Sequence, residues 1–260
     1  MNKEIIILGA GPGGYTAAIR AAQLGAKVTL IEKDTIGGTC LNRGCIPTKA
    51  LIASAEVYST VKKAAQFGTA INGTPGLDFT QVQTRKTQIV KQLRDGLKTI
   101  FKSYGITLLS GEAKFTGKDK LEITNPGQKT VLPFQNCIIA TGSVPAAVPG
   151  INVDKKLIIT SDEILELAHI PQSLLVVGGG VIGLECANIF HHFGTRVTVV
   201  ELLPRILPNE DEEISTMLTQ LMAKDGIAVK TNTKVTNLKI NGNHQLWVMT
   251  SLGQTMWQFF

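Results

Sequence analysis

Cys40 and Cys45 are separated by four residues in GGTCLNRGCIPTKAL (37–51), and Lys49 follows four positions after the second. A pair at this spacing serves as a structural bridge, as half of a metal clip or as a redox couple. The bridge is the poorest use, because closing so short a ring constrains the unfolded chain by about 2 kcal/mol at most before strain. Zinc asks for about four ligands. The other two cysteines, Cys137 in an apolar strand pattern and Cys186 in a helical one, lack partners at ligand spacing. The redox use draws on more of the surroundings. Cys45 stands just before a helical pattern, where the positive end of the dipole favours a thiolate, and Lys49 adds a cation. An accessible short-loop disulfide is of the labile kind that exchanges with thiols. Such a pair needs somewhere to send its electrons.

Two related stretches supply places for a carrier. Residues 5–32 read IIILGAGPGGYTAAIRAAQLGAKVTLIE and residues 174–201 read LLVVGGGVIGLECANIFHHFGTRVTVVE, a constant offset of 169 from Gly9 to Gly178 and from Glu32 to Glu201. Each copy runs from an apolar strand through a GxGxxG cluster into a helical pattern, then into a β-branched strand ending in glutamate. That context makes the glycine cluster a dinucleotide fingerprint rather than a chance match. Gly9 and Gly178 permit the tight turn. Gly11 and Gly180 let backbone approach a pyrophosphate, and Gly14 and Gly183 let helix pack on strand. The helix N-terminus offers free N–H groups to phosphate. Glu32 and Glu201 accept from a ribose diol.

These sites have to be carried by an α/β fold with two Rossmann-like domains, spanning residues 1–145 and 146–260. The turn-rich ATGSVPAAVPG (140–150) marks the crossing. Within the first domain, helical patterns are expected over 50–67, ended by Gly68, and over about 78–103. Strands are expected at 106–110 and 136–140, around a polar hairpin-like stretch beginning at Glu112. In the second domain, Asn209 with Glu212 reads as a capping box, followed by Ile214, Met217, Leu218 and Leu221 on one face.

Bulk properties restrict the function class. The chain has 260 residues, is 43% hydrophobic and 18% charged, and contains no apolar run of the roughly 20 residues that a membrane span needs. The start is too short and glycine-rich for a signal peptide, so the expected location is the cytoplasm, where close cysteine pairs are typically catalytic or metal-bound. The formal charge of +6 is scattered, and aromatics are 5% of the chain, which argues against a nucleic-acid partner.

Taken together, GGTCLNRGCIPTKAL, the two fingerprints, ATGSVPAAVPG and TSDEILEL resemble the flavoprotein disulfide reductases (pyridine nucleotide-disulfide oxidoreductases), closest to the branch that oxidises dihydrolipoamide. The resemblance covers Lys3 to about Val235. It implies FAD in the first fingerprint and NAD in the second. It implies that Cys40 is the interchange thiol, that Cys45 faces the flavin, and that Lys49 borders the flavin paired with Glu185. Cofactor contacts are implied at Lys33, Gly38, Thr39, Ala113, Thr141, Gly142 and Ser143 for FAD, and at Ile182 and Val235 for NAD. The implied partner is the lipoyl-bearing acyltransferase of a 2-oxoacid dehydrogenase complex, met by a homodimer. NADPH-using members are expected to carry arginine where Glu201 stands, and a carboxylate repels a 2′-phosphate. Mercuric reductases share the cysteine motif, and remain the alternative within the family.

The family continues past this length, with a second FAD segment containing Gly-Asp and a C-terminal dimerisation domain bearing a His with Glu five residues on. This chain contains no Gly-Asp dipeptide, and none of His169, His191, His192 and His244 is followed by glutamate at that spacing. The expectation is therefore a second domain that is incomplete, a missing dimerisation domain and little activity alone. The contrasting reading is an inactive FAD- and NAD-binding remnant.

Overall fold

The computed structural model describes residues 3–241, 245–250 and 253–258. Two compact units emerge. One holds the residues up to Pro47 together with Thr87–Val144, and the other holds Thr48–Lys86 together with the residues from Pro145 onward. Residues 48–86 thus group with the second unit, whereas a contiguous division at 145 assigns them to the first. The division falls inside two long helices, α3 (Cys45–Lys62) and α4 (Phe79–Ser103).

In the first unit, β1 (Glu4–Leu8) runs into α1 (Pro12–Gln23) and β2 (Lys27–Glu32), followed by the short α2 (Gly38–Arg43). Later come β3 (Thr107–Ser110), an antiparallel three-stranded sheet of β4 (Glu112–Gly117), β5 (Lys120–Asn125) and β6 (Gln128–Pro133), and β7 (Cys137–Ile139). The main sheet is parallel with strand order β3-β2-β1-β7. β1 and β2 are nearly continuous apolar runs because both sheet faces are covered. Ile7, Leu30 and Val28 pack with Ala18, Phe101 and Ile106 in one cluster, while Ile6, Leu8 and Ile31 pack with Leu121 and Ile123 in another.

The second unit repeats the plan. It contains α5 (Ser161–Ile164), β8 (Ser173–Val177), α6 (Val181–His192), β9 (Arg196–Val200), α7 (Glu212–Asp225) and β10 (Ala228–Lys230). An antiparallel sheet of β11 (Val235–Asn241), β12 (Gln245–Thr250) and β13 (Gly253–Gln258) follows. Its parallel sheet has the order β10-β9-β8. β1 is flanked by β2 and β7, but β8 has no parallel neighbour on its outer side among the described residues. The core gathers Phe190, Ile189, Val197, Val199 and Ile206 with Leu51, Ala55 and Phe79.

Three local readings change. The first long helix begins at Cys45 rather than near residue 50, and its 3₁₀ extension (Ala64–Phe67) ends on Gly68, whose φ of 73° only glycine adopts easily. The cap of α7 is Asp211, not Asn209: the Asp211 carboxylate accepts from the Glu213 amide at 2.9 Å, so Glu212 is the first helical residue and not the third. Three residues of the apolar stripe on α7 point outward, with Ile214, Met217 and Leu221 each about half exposed, whereas the fourth, Leu218, packs against the core. The inward face carries Met222 and Ser215, whose hydroxyl donates to the Ile206 carbonyl at 2.6 Å and sets the rotation of the helix. A capping box does exist at Thr160 and Glu163, where TSDE opens α5.

Candidate redox and dinucleotide site

Cys40 and Cys45 are joined by a disulfide, with Cα atoms 4.7 Å apart. The local sequence explains why they meet. Gly37 and Gly38 adopt left-handed backbone at φ 98° and 59°, which opens the one-and-a-half-turn α2 that carries Cys40. Gly44 then breaks the helix and brings the chain back. A Cβ there would press on the Thr39 carbonyl oxygen at 3.0 Å and the Cys40 Cα at 3.3 Å. Cys45 is the first residue of α3 and is exposed, whereas Cys40 is half-buried.

The residue between the cysteines that holds this geometry is Asn42, which sequence reading passed over. Its Nδ2 donates to the carbonyls of Ile36 at 3.0 Å and Gly38 at 2.9 Å, while its Oδ1 accepts from Arg94 Nε at 3.1 Å and Nη2 at 2.7 Å. A clue was available, since asparagine inside a short helix competes with its own backbone unless the side chain is engaged elsewhere. Asn42→Asp puts acceptors against those carbonyls and is expected to destabilise the chain by about 2–3 kcal/mol. Urea unfolding measures this, and a change near zero contradicts the assignment. The adjacent Arg43 makes an ion pair with Asp34.

The remaining cysteines are poor thiolates. Burial pushes Cys137 up, and burial together with the charge of Glu185 pushes Cys186 up to about 11. In the second unit, Lys49 Nζ donates to Glu185 Oε1 at 2.6 Å. The lysine side chain is 60% exposed and the glutamate 28%, so the pair contributes little stability and its interest is positional.

The first fingerprint forms a cradle lined by backbone. A Cβ at Gly9 would strike the Ala140 carbonyl, one at Gly14 the Gly9 carbonyl, and one at Gly38 the Gly11 Cα. α1 opens on Gly11 with no side-chain cap and no acidic residue in its first turn, so its leading N–H groups remain available to an anion. In the second fingerprint α6 opens on Gly180 in the same way, and a Cβ at Gly183 would strike the Gly178 carbonyl. Along this second turn lies a cavity of about 1270 Å³ with mostly apolar walls from β8 and residues 145–169, reaching Gly180, Ile182 and Cys186.

Glu32 and Glu201 stand at the ends of the second strands in the two units. Glu32 takes the Ala10 amide on Oε2 at 2.7 Å and the Asp34 amide on Oε1 at 2.8 Å. Glu201 takes the Gly179 amide on Oε2 at 2.6 Å and the Leu203 amide on Oε1 at 2.8 Å. Other expected contact residues are more open. Lys33 and Thr39 are exposed near the first cradle's loops, and Thr141, Gly142 and Ser143 form the exposed segment after β7. Ala113 is half-buried at the start of β4. Ile182 is 63% exposed on α6, and Val235 is partly buried in the same apolar cluster as Ile158, Leu175 and Leu238. His169 lines the cavity, His192 Nδ1 lies 2.9 Å from the Asn188 carbonyl, and His244 falls outside the described residues.

A disulfide seated beside one dinucleotide cradle, with a second cradle further along the chain, agrees with comparison to known proteins. Residues 3–256 match the family described as pyridine nucleotide-disulphide oxidoreductase. The chain belongs to that family.

Among curated members of the family, a dihydrolipoyl dehydrogenase of Bacillus subtilis is 46% identical over 241 residues, covering 89% of this chain and 51% of that protein. A dihydrolipoyl dehydrogenase of Acholeplasma laidlawii is 42% identical over 236 residues, covering 89% of this chain and 69% of that protein. LpdA of Mycobacterium tuberculosis superposes with a TM-score of 0.88 at 26% identity, covering 98% of this chain and 56% of that one. The HOCl-induced flavoprotein disulfide reductase RclA of Escherichia coli gives 0.82 at 28%, covering 97% and 54%. The chain thus spans about half the length of several relatives it matches.

The residues present fit the two dinucleotides of the family. FAD fits the first cradle because an anionic pyrophosphate needs the glycine-lined approach and uncapped helix start found there. NAD fits the second for the same reason. Each carboxylate oxygen of Glu32 and Glu201 has a lone pair left for a ribose hydroxyl after accepting one amide. No helix among the described residues is long and apolar enough to cross a membrane.

Proposed function

We propose that this chain is the FAD- and NAD-binding part of a dihydrolipoyl dehydrogenase, with residues 1–145 serving FAD and residues 146–260 serving NAD. The observation that carries the reading lies within the first unit. Gly38, which opens the helix bearing Cys40, abuts Gly11, which opens the helix of the phosphate cradle. One turn therefore sets both the redox pair and the cofactor pyrophosphate.

In this reading a thiolate of the substrate dithiol attacks Cys40 Sγ, the Cys40–Cys45 bond breaks, and Cys45 leaves as a thiolate. The second substrate thiol then displaces Cys40 Sγ. It closes the oxidised cyclic disulfide and leaves both cysteines reduced by two electrons. The dipole of α3, acting at its first residue, stabilises the Cys45 thiolate. FAD held in the first cradle would supply a two-electron acceptor, and NAD held in the second would supply the final hydride acceptor. Lys49 keeps its positive charge paired with Glu185 within the second unit.

The physiological substrate in this reading is dihydrolipoamide on the acyltransferase of a 2-oxoacid dehydrogenase complex, met by a homodimer in the cytoplasm. The names and identities of the relatives support the dihydrolipoamide part of this reading. The test is whether the purified chain carries yellow flavin and forms NADH from dihydrolipoamide; a colourless chain that neither takes up FAD nor turns over contradicts it.

The second cradle is expected to prefer NADH over NADPH by at least about tenfold, because a 2′-phosphate would approach the Glu201 carboxylate. Titrating nicotinamide fluorescence measures both affinities, and equal or tighter NADPH binding contradicts the assignment.

A further inference from the structure

The two glutamates do more than face a ribose. In each unit the carboxylate binds the amide of the residue after the first fingerprint glycine and also its own i+2 amide, so both oxygens are engaged by backbone. The carbonyl of that same fingerprint residue is held from the other side: Gly37 N donates to Ala10 O, and Leu207 N donates to Gly179 O, both at 2.8 Å. The strand link matches too, with Gly9 N on Ile31 O and Gly178 N on Val200 O, each at 2.8 Å. Three of these contacts recur at the repeat offset, and the fourth recurs with its donor one residue later, in units whose loops otherwise differ.

In the second unit the clamp is tighter, because a Cβ at Gly179 would meet Ile206 Cγ2 at 2.7 Å and Glu201 Cβ at 3.3 Å. Gly179 is buried and Glu201 is 8% exposed. A side chain with only one acceptor oxygen, such as glutamine, sets its NH2 against either the Gly179 or the Leu203 N–H, and a buried unpaired donor drives the turn to rearrange.

We propose that Glu201 is a positioning residue for the pyrophosphate-binding turn of the second site. Its carboxylate turns the Gly179 amide inward, so that the amides from Gly180 onward face the ligand. The proposal rests on NAD occupying that site. It follows that neutralising Glu201 to admit a 2′-phosphate does not convert the chain to NADPH use, but lowers affinity for both dinucleotides.

The experiment compares Glu201→Gln with the unsubstituted chain, using NADH and an NADH analogue whose adenosine ribose lacks the 2′ and 3′ hydroxyls. A ribose contact alone predicts that the substitution leaves analogue affinity unchanged. The clamp predicts that Glu201→Gln weakens the analogue as well as NADH, by at least about tenfold each. Analogue affinity within about twofold of the unsubstituted chain overturns the proposal. If the unsubstituted chain binds neither ligand, the NAD reading fails. The clamp is then decided by amide exchange at Gly179 in the ligand-free chain: exchange at least about tenfold faster in Glu201→Gln supports it, and equal exchange overturns it. If Glu201→Gln does not fold, the same comparisons are made on Glu201→Asp, which keeps the charge but withdraws the oxygens from Gly179.

Discussion

In the proposed reading, Cys40→Ser is expected to lower whatever NADH formation from dihydrolipoamide this chain supports by at least about a thousandfold without loss of FAD uptake, because the sulfur that the substrate thiolate attacks is gone and a reaction unit that loses an essential member loses nearly all of its rate. A serine hydroxyl fits the space of the thiol but cannot form the bond that the substrate thiolate attacks, and no other cysteine substitutes for it. Cys186 is buried with its thiol pushed up to about 11, and burial holds Cys137 up as well. The fold should survive, since so short a ring contributes about 2 kcal/mol at most. Asn42 and the Gly37–Gly38 turn hold α2 independently of the sulfurs. Steady-state turnover, with flavin content measured on the same sample, checks both halves. Turnover within about tenfold of the unsubstituted chain would remove Cys40 from the chemistry.

Gly14→Ala is the second large effect. The added methyl would collide with the Gly9 carbonyl oxygen, with the carbonyl carbon at 2.8 Å. The Gly9 backbone cannot withdraw, because its N–H is bound to the Ile31 carbonyl and its φ of 94° is already in glycine-only territory. A destabilisation of about 3 kcal/mol is expected, with loss of FAD uptake. The neighbouring residue is an internal control. A Cβ at Gly13 finds its nearest atom, the Ala140 methyl, at 3.8 Å, so Gly13→Ala is expected to be neutral or stabilising by up to about 1 kcal/mol through helix propensity. Denaturant unfolding of the two variants, one position apart, distinguishes packing at the βα crossing from any general intolerance of alanine. Equal effects would contradict the account.

The repeat at a constant offset made the parallel sheets and both cradles legible, because glycine spacing and strand patterning are local signals that tertiary context rarely overrides. The cysteine pair was legible as a redox couple for the same reason. What the sequence concealed depends on partners distant along the chain. Asn42 acquires its meaning from Arg94, fifty-two residues away. The α7 stripe misled at Ile214, Met217 and Leu221, though not at Leu218, because periodicity shows that a face exists, not which way it points. Ser215 set that direction with one hydroxyl. Lys86, a residue type expected at the surface, is 2% exposed and donates to the Leu165 carbonyl at 2.8 Å and to Glu166 at 2.6 Å. The backbone amides that Glu32 and Glu201 accept were hidden similarly, since a motif suggests a ligand contact and is silent on the amides around it.

The central claim is that electrons pass between the Cys40–Cys45 disulfide and a nicotinamide by way of bound FAD. Anaerobic titration of the FAD-loaded chain with NADH, followed by alkylation and peptide mapping, tests it most directly. The account predicts that NADH converts both Cys40 and Cys45 into alkylatable thiols, that omitting FAD prevents this, and that NADPH does it far less well. Flavin that bleaches on NADH addition while the disulfide stays intact would contradict it.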